Sequence, residues 1–201
     1  MKTRNSLWKP DWPVRVRPMT LDDVGEVHRI EQATFSTPWS ARSFVHDLTR
    51  DTTAFYLVIQ SRPGVRFRDA PEDPDLGPTP ILGYGGLWLL GDEVHVSTIA
   101  VREGWRRRGL GELLLLCMVQ KAIELGATEA TLEVRVSNRG PITLYEKYRF
   151  RVAGRRPRYY ADTGEDAWIM TSEPIQTRAY RALLREREAH LRQRLWAQVA
   201  G

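Results

Sequence analysis

The sequence predicts an α+β fold, in which helices flank a mixed, mainly antiparallel sheet and a further helix is added at the C-terminus. Strand-like segments follow one another directly at several points, whereas a doubly wound α/β fold would alternate strands and helices strictly. The 201 residues are 42% hydrophobic and 27% charged. That balance suits a packed domain with appendages and excludes a disordered chain.

The composition also bears on the compartment. No apolar run approaches the roughly 18 residues that a membrane-spanning helix needs, and the N-terminal residues lack the apolar stretch of a secretory signal. The single Cys cannot form an internal disulfide. We therefore expect a cytoplasmic protein with no membrane contact.

The chain divides into a polar leader over 1–13, a domain over 14–173 and a basic amphipathic helix over 174–201. Within the domain, residues 61–80 hold five of the twelve prolines and predict a loop insertion. The tail has six Arg and two Glu, and so carries +4 of the net charge of +5. A nucleic-acid binder spreads Lys and Arg over its main fold, so RNA is at best a partner of the tail.

The elements follow from alternation, helical spacing and capping residues. Thr20 and Ser40 are suitable N-caps for two early helices. Strands are expected over 14–17, 55–59, 81–90, 93–101, 131–136, 150–153 and 167–171. Helices are expected after Thr20, after Ser40, over 112–125, over 139–148 and from 175. The helix over 112–125 should bury one side, formed by Leu113, Leu114, Cys117, Met118, Ala122 and Leu125.

The most informative segment joins the strand over 93–101 to the next helix. It contains Arg106-Arg107-Arg108-Gly109-Leu110-Gly111, in which glycines allow a tight turn and the helix N-terminus offers unpaired N–H groups. Such a turn can hold a pyrophosphate, although a glycine turn with solvated arginines remains an alternative. A P-loop is excluded because no Lys follows the glycines, and the dinucleotide fingerprint is excluded because Leu114 occupies its third Gly position.

Residues 99–150 resemble the GNAT superfamily of acetyl-CoA-dependent N-acetyltransferases, whose pyrophosphate loop reads Arg/Gln-x-x-Gly-x-Gly/Ala. Within the superfamily the chain is similar to the RimI group, bacterial enzymes that acetylate the N-terminal Ala of a small-subunit ribosomal protein. The resemblance covers roughly residues 14–172. The narrower match rests on residues 28–32, 35–40, 132–138, 144–146, 159–160 and 165–170.

The resemblance implies a site for direct acetyl transfer from acetyl-CoA. The four histidines, His28, His46, His95 and His190, show no metal-ligand spacing, so no bound metal is expected. The resemblance makes Glu133 the general base and Tyr145 the general acid. Cofactor contacts are expected from Ile99, Ala100, Val101, Arg106, Arg107, Arg108, Gly109, Leu110, Gly111, Glu112 and Asn138. Acceptor contacts are expected from Trp39, Tyr159 and Tyr160.

The chemistry fits these roles. A peptide α-amino group has a pKa of about 7.7 to 8.0 and is mostly protonated near neutral pH, so a carboxylate base is useful. A phenol with a reference pKa of about 10 can give its proton to a departing thiolate at close range.

Each residue also has a simpler interpretation. Glu133 could be an exposed carboxylate paired with Arg135, Tyr145 a core aromatic, and Asn138 a helix N-cap. Trp39 and the two tyrosines could be core or rim residues. The chain also departs from the family in the 61–80 loop, in the tail, and at Arg149, where a Gly is common; a left-handed backbone there would cost roughly 1 kcal/mol.

Three functions follow. The first is acetylation of a ribosomal protein N-terminus. The second keeps the fold and the cosubstrate but takes a small-molecule amine or a lysine as acceptor. The third is an idle acetyl-CoA-binding module whose Arg-rich tail docks on RNA or a partner protein.

Overall fold

The structure is a computed structural model that describes residues 11–71 and 77–200. Most of the predicted leader and part of the 61–80 insertion therefore lie outside the described residues. Trp12, at the end of the predicted leader, is buried in the core. No helix of the described residues is both long and apolar enough to span a membrane.

One seven-stranded sheet forms the centre of the domain, in the strand order β1-β2-β3-β4-β5-β7-β6. The strands are β1 (Val14–Pro18), β2 (Ala54–Ser61), β3 (Ile81–Leu90), β4 (Glu93–Val101), β5 (Glu129–Arg135), β6 (Phe150–Tyr160) and β7 (Glu165–Ser172). Neighbours run antiparallel except β4 and β5, which run parallel. The predicted mixed, mainly antiparallel sheet is thus confirmed.

Helices cover both faces of the sheet. They are α1 (Val24–Thr34), α2 (Ala41–Arg50), α3 (Leu110–Glu124), α4 (Arg139–Lys147) and α5 (Arg178–Trp196). One apolar cluster packs α1 and α2 against one face, and a larger one packs the other three helices against the opposite face. Ser40 caps α2 as expected, whereas Thr20 caps a short 3-10 turn, Leu21–Asp23, that leads into α1.

Two predicted elements differ from the structure. The strand expected over 150–153 extends to Tyr160, because residues 154–160 form an edge strand rich in Gly, Arg and Pro that shows no apolar alternation. The helix α3 begins at Leu110 and is buried on all sides from Leu113 to Val119, not on one side only. Its second face is covered by α5, a contact between distant parts of the chain that periodicity does not reveal.

The tail packs on the body through the apolar stripe predicted for it. Tyr180, Leu184, Leu191 and Leu195 are buried, and the Tyr180 hydroxyl donates a 2.6 Å hydrogen bond to the carbonyl of Tyr148. This stripe is therefore unavailable for docking on a partner. The part of the 61–80 insertion that the structure describes also meets the tail, through a bridge between Phe67 and Val199.

Leu195→Ala tests this packing. Removing a fully buried leucine side chain should lower the free energy of unfolding by about 2 to 5 kcal/mol, as measured by urea denaturation. Arg185→Ala, on the exposed face of the same helix, should change it by less than about 0.5 kcal/mol. Equal, small effects of both changes would show that α5 does not pack as described.

Arg149 adopts the left-handed backbone that its place before Phe150 suggested, with φ of 58°. Its guanidinium pairs with Glu173 at 3.0 Å in an exposed position. We expect Arg149→Gly to be more stable than Arg149→Ala by about 1 kcal/mol, because both lose the pair but only Gly relieves the backbone. Thermal unfolding of the two variants measures the difference, and equal stabilities would contradict it.

Candidate active site

The site is built around a gap in the middle of the sheet. β4 and β5 pair only from Glu93–His95 with Glu129–Thr131, so β4 from Val96 onward has no partner on that side. In the ladder between β3 and β4, Thr98 pairs with Gly86 and Val96 pairs with Leu87, so Ser97 is an extra residue without a partner on β3. Such a bulge bends and twists its strand, which carries β4 away from β5. Ile99, Ala100 and Val101, three of the predicted cofactor contacts, lie on this unpaired stretch.

The glycine loop lies at the end of β4 and opens α3. Arg107 and Gly109 have positive φ values of 64° and 95°, so that successive N–H groups turn towards one side. Among the described residues, no hydrogen bond is formed by the backbone N–H groups of 107–112, the next bond being Leu113 N–H to the carbonyl of Gly109. Unpaired amides at a helix N-terminus fit an anionic group such as a pyrophosphate.

The three arginines of the loop are not equivalent. Arg106 donates to the Val101 carbonyl at 3.1 Å, and Arg108 donates to the carbonyls of Arg68 and Asp69. The side chain of Arg107 has no hydrogen bond or ion pair within the described ranges. Arg107 is thus the arginine of the three that can turn to a phosphate, while the other two shape the loop.

Glu133 lies on β5 beyond the stretch that pairs with β4. It is nearly buried, with 9% of its side chain exposed. Its Oε2 lies 3.2 Å from Nε2 of His95 and its Oε1 lies 2.9 Å from Nε of Arg156. Arg135 pairs instead with Asp162 and Glu165. The interpretation of Glu133 as an exposed partner of Arg135 is therefore wrong.

A row of stacked rings connects Glu133 to the segment between α1 and α2. Trp39 stacks on Trp88 with ring centroids 5.6 Å apart, and Trp88 stacks on His95 at 6.0 Å. The backbone N–H of Trp39 donates to the buried carboxylate of Glu31, at 2.9 Å. The structure therefore brings the predicted acceptor residue Trp39 to the predicted base through two side chains that the motifs did not include.

The other predicted acceptor residues approach Glu133 from β6. Tyr159 and Tyr160 meet edge to face at 5.2 Å, and the guanidinium of Arg156 lies over the ring of Tyr159 at 5.8 Å. Burial raises the pKa of Tyr160 to about 12, and the negative charge of Glu133 adds to this.

Tyr145 on α4 is buried, and its hydroxyl forms no hydrogen bond to any described residue. Burial raises its pKa well above the usual value, with a further contribution from Tyr160. The phenol therefore stays protonated throughout the neutral range. Tyr160 interacts electrostatically with both Glu133 and Tyr145.

Two further features lie at the edges of the site, one between α1 and α2 and the other at the start of α4. Ser36, between α1 and α2, hydrogen-bonds to Asp162, in the turn between β6 and β7, so these two segments meet. Asn138 is exposed, and its side chain forms no cap hydrogen bond although it occupies the N-cap position of α4. Its amide is available to a ligand.

Sequence reasoning missed His95, Arg156 and Trp88. His95 lies on the strand next to that of Glu133 but is far from it in the chain. The spacing of the histidines is evidence only for or against a metal site. Arg156 lies in the part of β6 that the sequence pattern does not reveal. The sequence did contain a sign that His95 faces the site. His95 alternates with valines that are buried on β4, so its side chain lies on the less buried face of the strand.

Comparison with known proteins agrees with this arrangement. The model of the acetyltransferase (GNAT) family matches residues 25–150. A putative [ribosomal protein bS18]-alanine N-acetyltransferase of Bacillus subtilis is 37% identical over 155 residues, which cover 77% of this chain and 92% of that protein. An N-alpha-acetyltransferase of Saccharolobus solfataricus is 33% identical over 159 residues, covering 77% and 90%.

A solved structure is also similar. The crystal structure of the ribosomal-protein-S18-alanine N-acetyltransferase from Escherichia coli superposes with a TM-score of 0.66 at 26% identity, covering 82% of this chain and 95% of that one. The fold, the match to the family model and the similarity to these relatives all lead to one assignment. The chain belongs to the GNAT family of acetyltransferases.

Proposed function

We propose that this protein is an acetyl-CoA-dependent N-terminal α-amino acetyltransferase that acts on the N-terminal Ala of a small-subunit ribosomal protein. The observation that carries the proposal is the row from Trp39 through Trp88 and His95 to Glu133, since it joins an acceptor segment to a carboxylate base. The names of the relatives from Bacillus subtilis and Saccharolobus solfataricus support the acceptor class.

The residues around the gap fit the cosubstrate. The unpaired amides of 107–112 and the side chain of Arg107 hold the pyrophosphate, and the open edge of β4 at Ile99–Val101 lies beside the acyl arm. Asn138 contacts the cofactor from the start of α4. The remaining loop arginines, Arg106 and Arg108, keep the amides in place through their carbonyl contacts.

Glu133 removes a proton from the acceptor ammonium, directly or through a water molecule. Its carboxylate is oriented by His95, while Arg156, whose side chain is 55% exposed, can leave when the amine approaches. The free amine then attacks the thioester carbonyl, the C–N bond forms and the C–S bond breaks. Tyr145 gives its proton to the departing sulfur, the nitrogen passes its second proton to the resulting phenolate, and Glu133 returns the first proton to solvent. A thiol and an N-acetylated peptide are then released.

The closed acceptor side favours an N-terminus over a lysine in a folded protein. Ser36 and Asp162 join the two segments that border Glu133, and Tyr159 and Tyr160 narrow the same approach. A chain end can enter such a site, whereas an internal segment would have to open it. The apolar stripe of the tail is buried against α3, so the docking-module alternative is left with the arginine-bearing face of the helix alone.

The acceptor is tested by mass spectrometry of two peptides incubated with acetyl-CoA. One begins with a free Ala, and the other has a blocked N-terminus and a free Lys. We expect acetylation of the first alone, and a loss of about 10²- to 10⁴-fold with Glu133→Gln, which keeps the shape but removes the base.

Glu129→Gln, on the same strand outside the gap, serves as the matched control and should retain wild-type activity. Acetylation of the Lys peptide would assign a different acceptor. Full activity of Glu133→Gln would remove Glu133 from the mechanism.

Tyr145→Phe tests the general acid. Because the hydroxyl forms no hydrogen bond to a described residue, the change should preserve stability, lower kcat by about 10²- to 10⁴-fold and leave the KM for acetyl-CoA nearly unchanged. Tyr148→Phe is the control, since Tyr148 lies one helical turn away and its hydroxyl is also unpaired within the described part of the chain. Steady-state kinetics of both variants decide the matter, and equal kcat values would refute the assignment.

A further inference from the structure

The tail lies against the outer side of the glycine loop. A Cβ atom at Gly109 would come within 2.9 Å of Nη2 of Arg194 and 3.0 Å of Cδ1 of Leu191. Gln198 donates a 3.1 Å hydrogen bond to the Arg108 carbonyl. The helix α5 is outside residues 25–150, which match the family model, yet it contacts the loop that defines the family.

The strongest of these contacts is an ion pair. Nη2 of Arg194 lies 2.5 Å from Oε2 of Glu112, and Nζ of Lys147 lies 3.7 Å from the same oxygen. Only 9% of the Glu112 side chain is exposed, whereas about half of the Arg194 side chain is. Glu112 is therefore the poorly hydrated member of the pair, and its charge is balanced mainly by a residue of the tail.

Glu112 stands in the first turn of α3, among the unpaired amides of 107–112. A carboxylate there occupies the positive end of the helix and repels a second anion that approaches the same amides. A positive charge beside Glu112 offsets the repulsion between its carboxylate and the incoming anion. Arg194 reaches Glu112 from the side of the loop where Gly109 has no side chain.

We propose that Arg194 is a positioning residue for the cosubstrate: by neutralising Glu112 it makes the affinity of the glycine loop for the pyrophosphate of acetyl-CoA depend on the C-terminal helix. This inference rests on the proposed use of acetyl-CoA and deepens it. It also gives the added tail a function within its own chain.

The test measures binding of CoA by isothermal titration calorimetry, without an acceptor. Arg194→Met keeps an unbranched side chain about as long as the aliphatic part of arginine but removes the charge, and it should weaken CoA binding about 3- to 10-fold, the size of an uncompensated charge at a helix terminus. Arg194→Lys should retain most of the affinity. Arg185→Met is the matched control, because it removes the same charge from the exposed face of α5 and should leave the affinity unchanged.

A second substitution separates charge from packing. In the double variant Glu112→Gln/Arg194→Met the affinity should return to within about twofold of wild type, since no carboxylate then needs neutralising. The loss caused by Arg194→Met should be equal for CoA and dephospho-CoA, which share the pyrophosphate. Thermal unfolding of each variant shows that the fold is intact.

Three results would overturn the inference: unchanged CoA affinity in Arg194→Met, no recovery in the double variant, or a loss confined to CoA, which would assign Arg194 to the 3′-phosphate. If the wild-type chain still binds CoA, any of these three results would contradict only the role of Arg194 and would not contradict the proposed function. A wild-type chain that does not bind CoA would overturn the proposed function together with the inference.

Discussion

Everything at the site depends on the short parallel pairing between β4 and β5. Their ladder stops after His95 and Thr131, beside the extra residue that bends β4. If the pairing continued, the backbone of β4 at Ile99 would be hydrogen-bonded to β5 and would leave no open edge. The gap that the divergence of the two strands opens lies between the end of β4, which leads into the glycine loop and α3, and the part of β5 that carries Glu133.

The environment of Glu133 shows how a nearly buried carboxylate can be tolerated. A charge removed from water is destabilising unless donors surround it. His95 and Arg156 supply these donors from two different strands. The ring of Trp88 supports His95 from behind, and Trp39 covers Trp88 in turn. The aromatic row therefore supports His95 in its contact with the Glu133 carboxylate.

The sequence predicted those parts of the molecule whose signals are local. Periodicity and capping located the strands and helices, and the glycine spacing led to the family that the comparisons confirm. The catalytic roles of Glu133 and Tyr145 stay predictions. The extension of β6 was missed because an exposed edge strand needs no apolar alternation. The contacts of His95 with Glu133 and of α5 with α3 were missed because they join residues far apart in the chain, where neither propensity nor period carries information.

The bridge between Phe67 and Val199 affects the order in which parts of the domain can fold during synthesis. Arg68 and Ala200 extend it with backbone hydrogen bonds to Gln198 and Arg66, so the insertion is held by residues that are synthesised after every strand of the sheet. Contacts between such distant positions close a large loop and form late. During synthesis the sheet can assemble first, and the carbonyls that hold Arg108 are fixed only when α5 has emerged from the ribosome. The glycine loop therefore gains its contact with Gln198, and the insertion gains its pairing with the tail, only after every strand of the sheet has been synthesised.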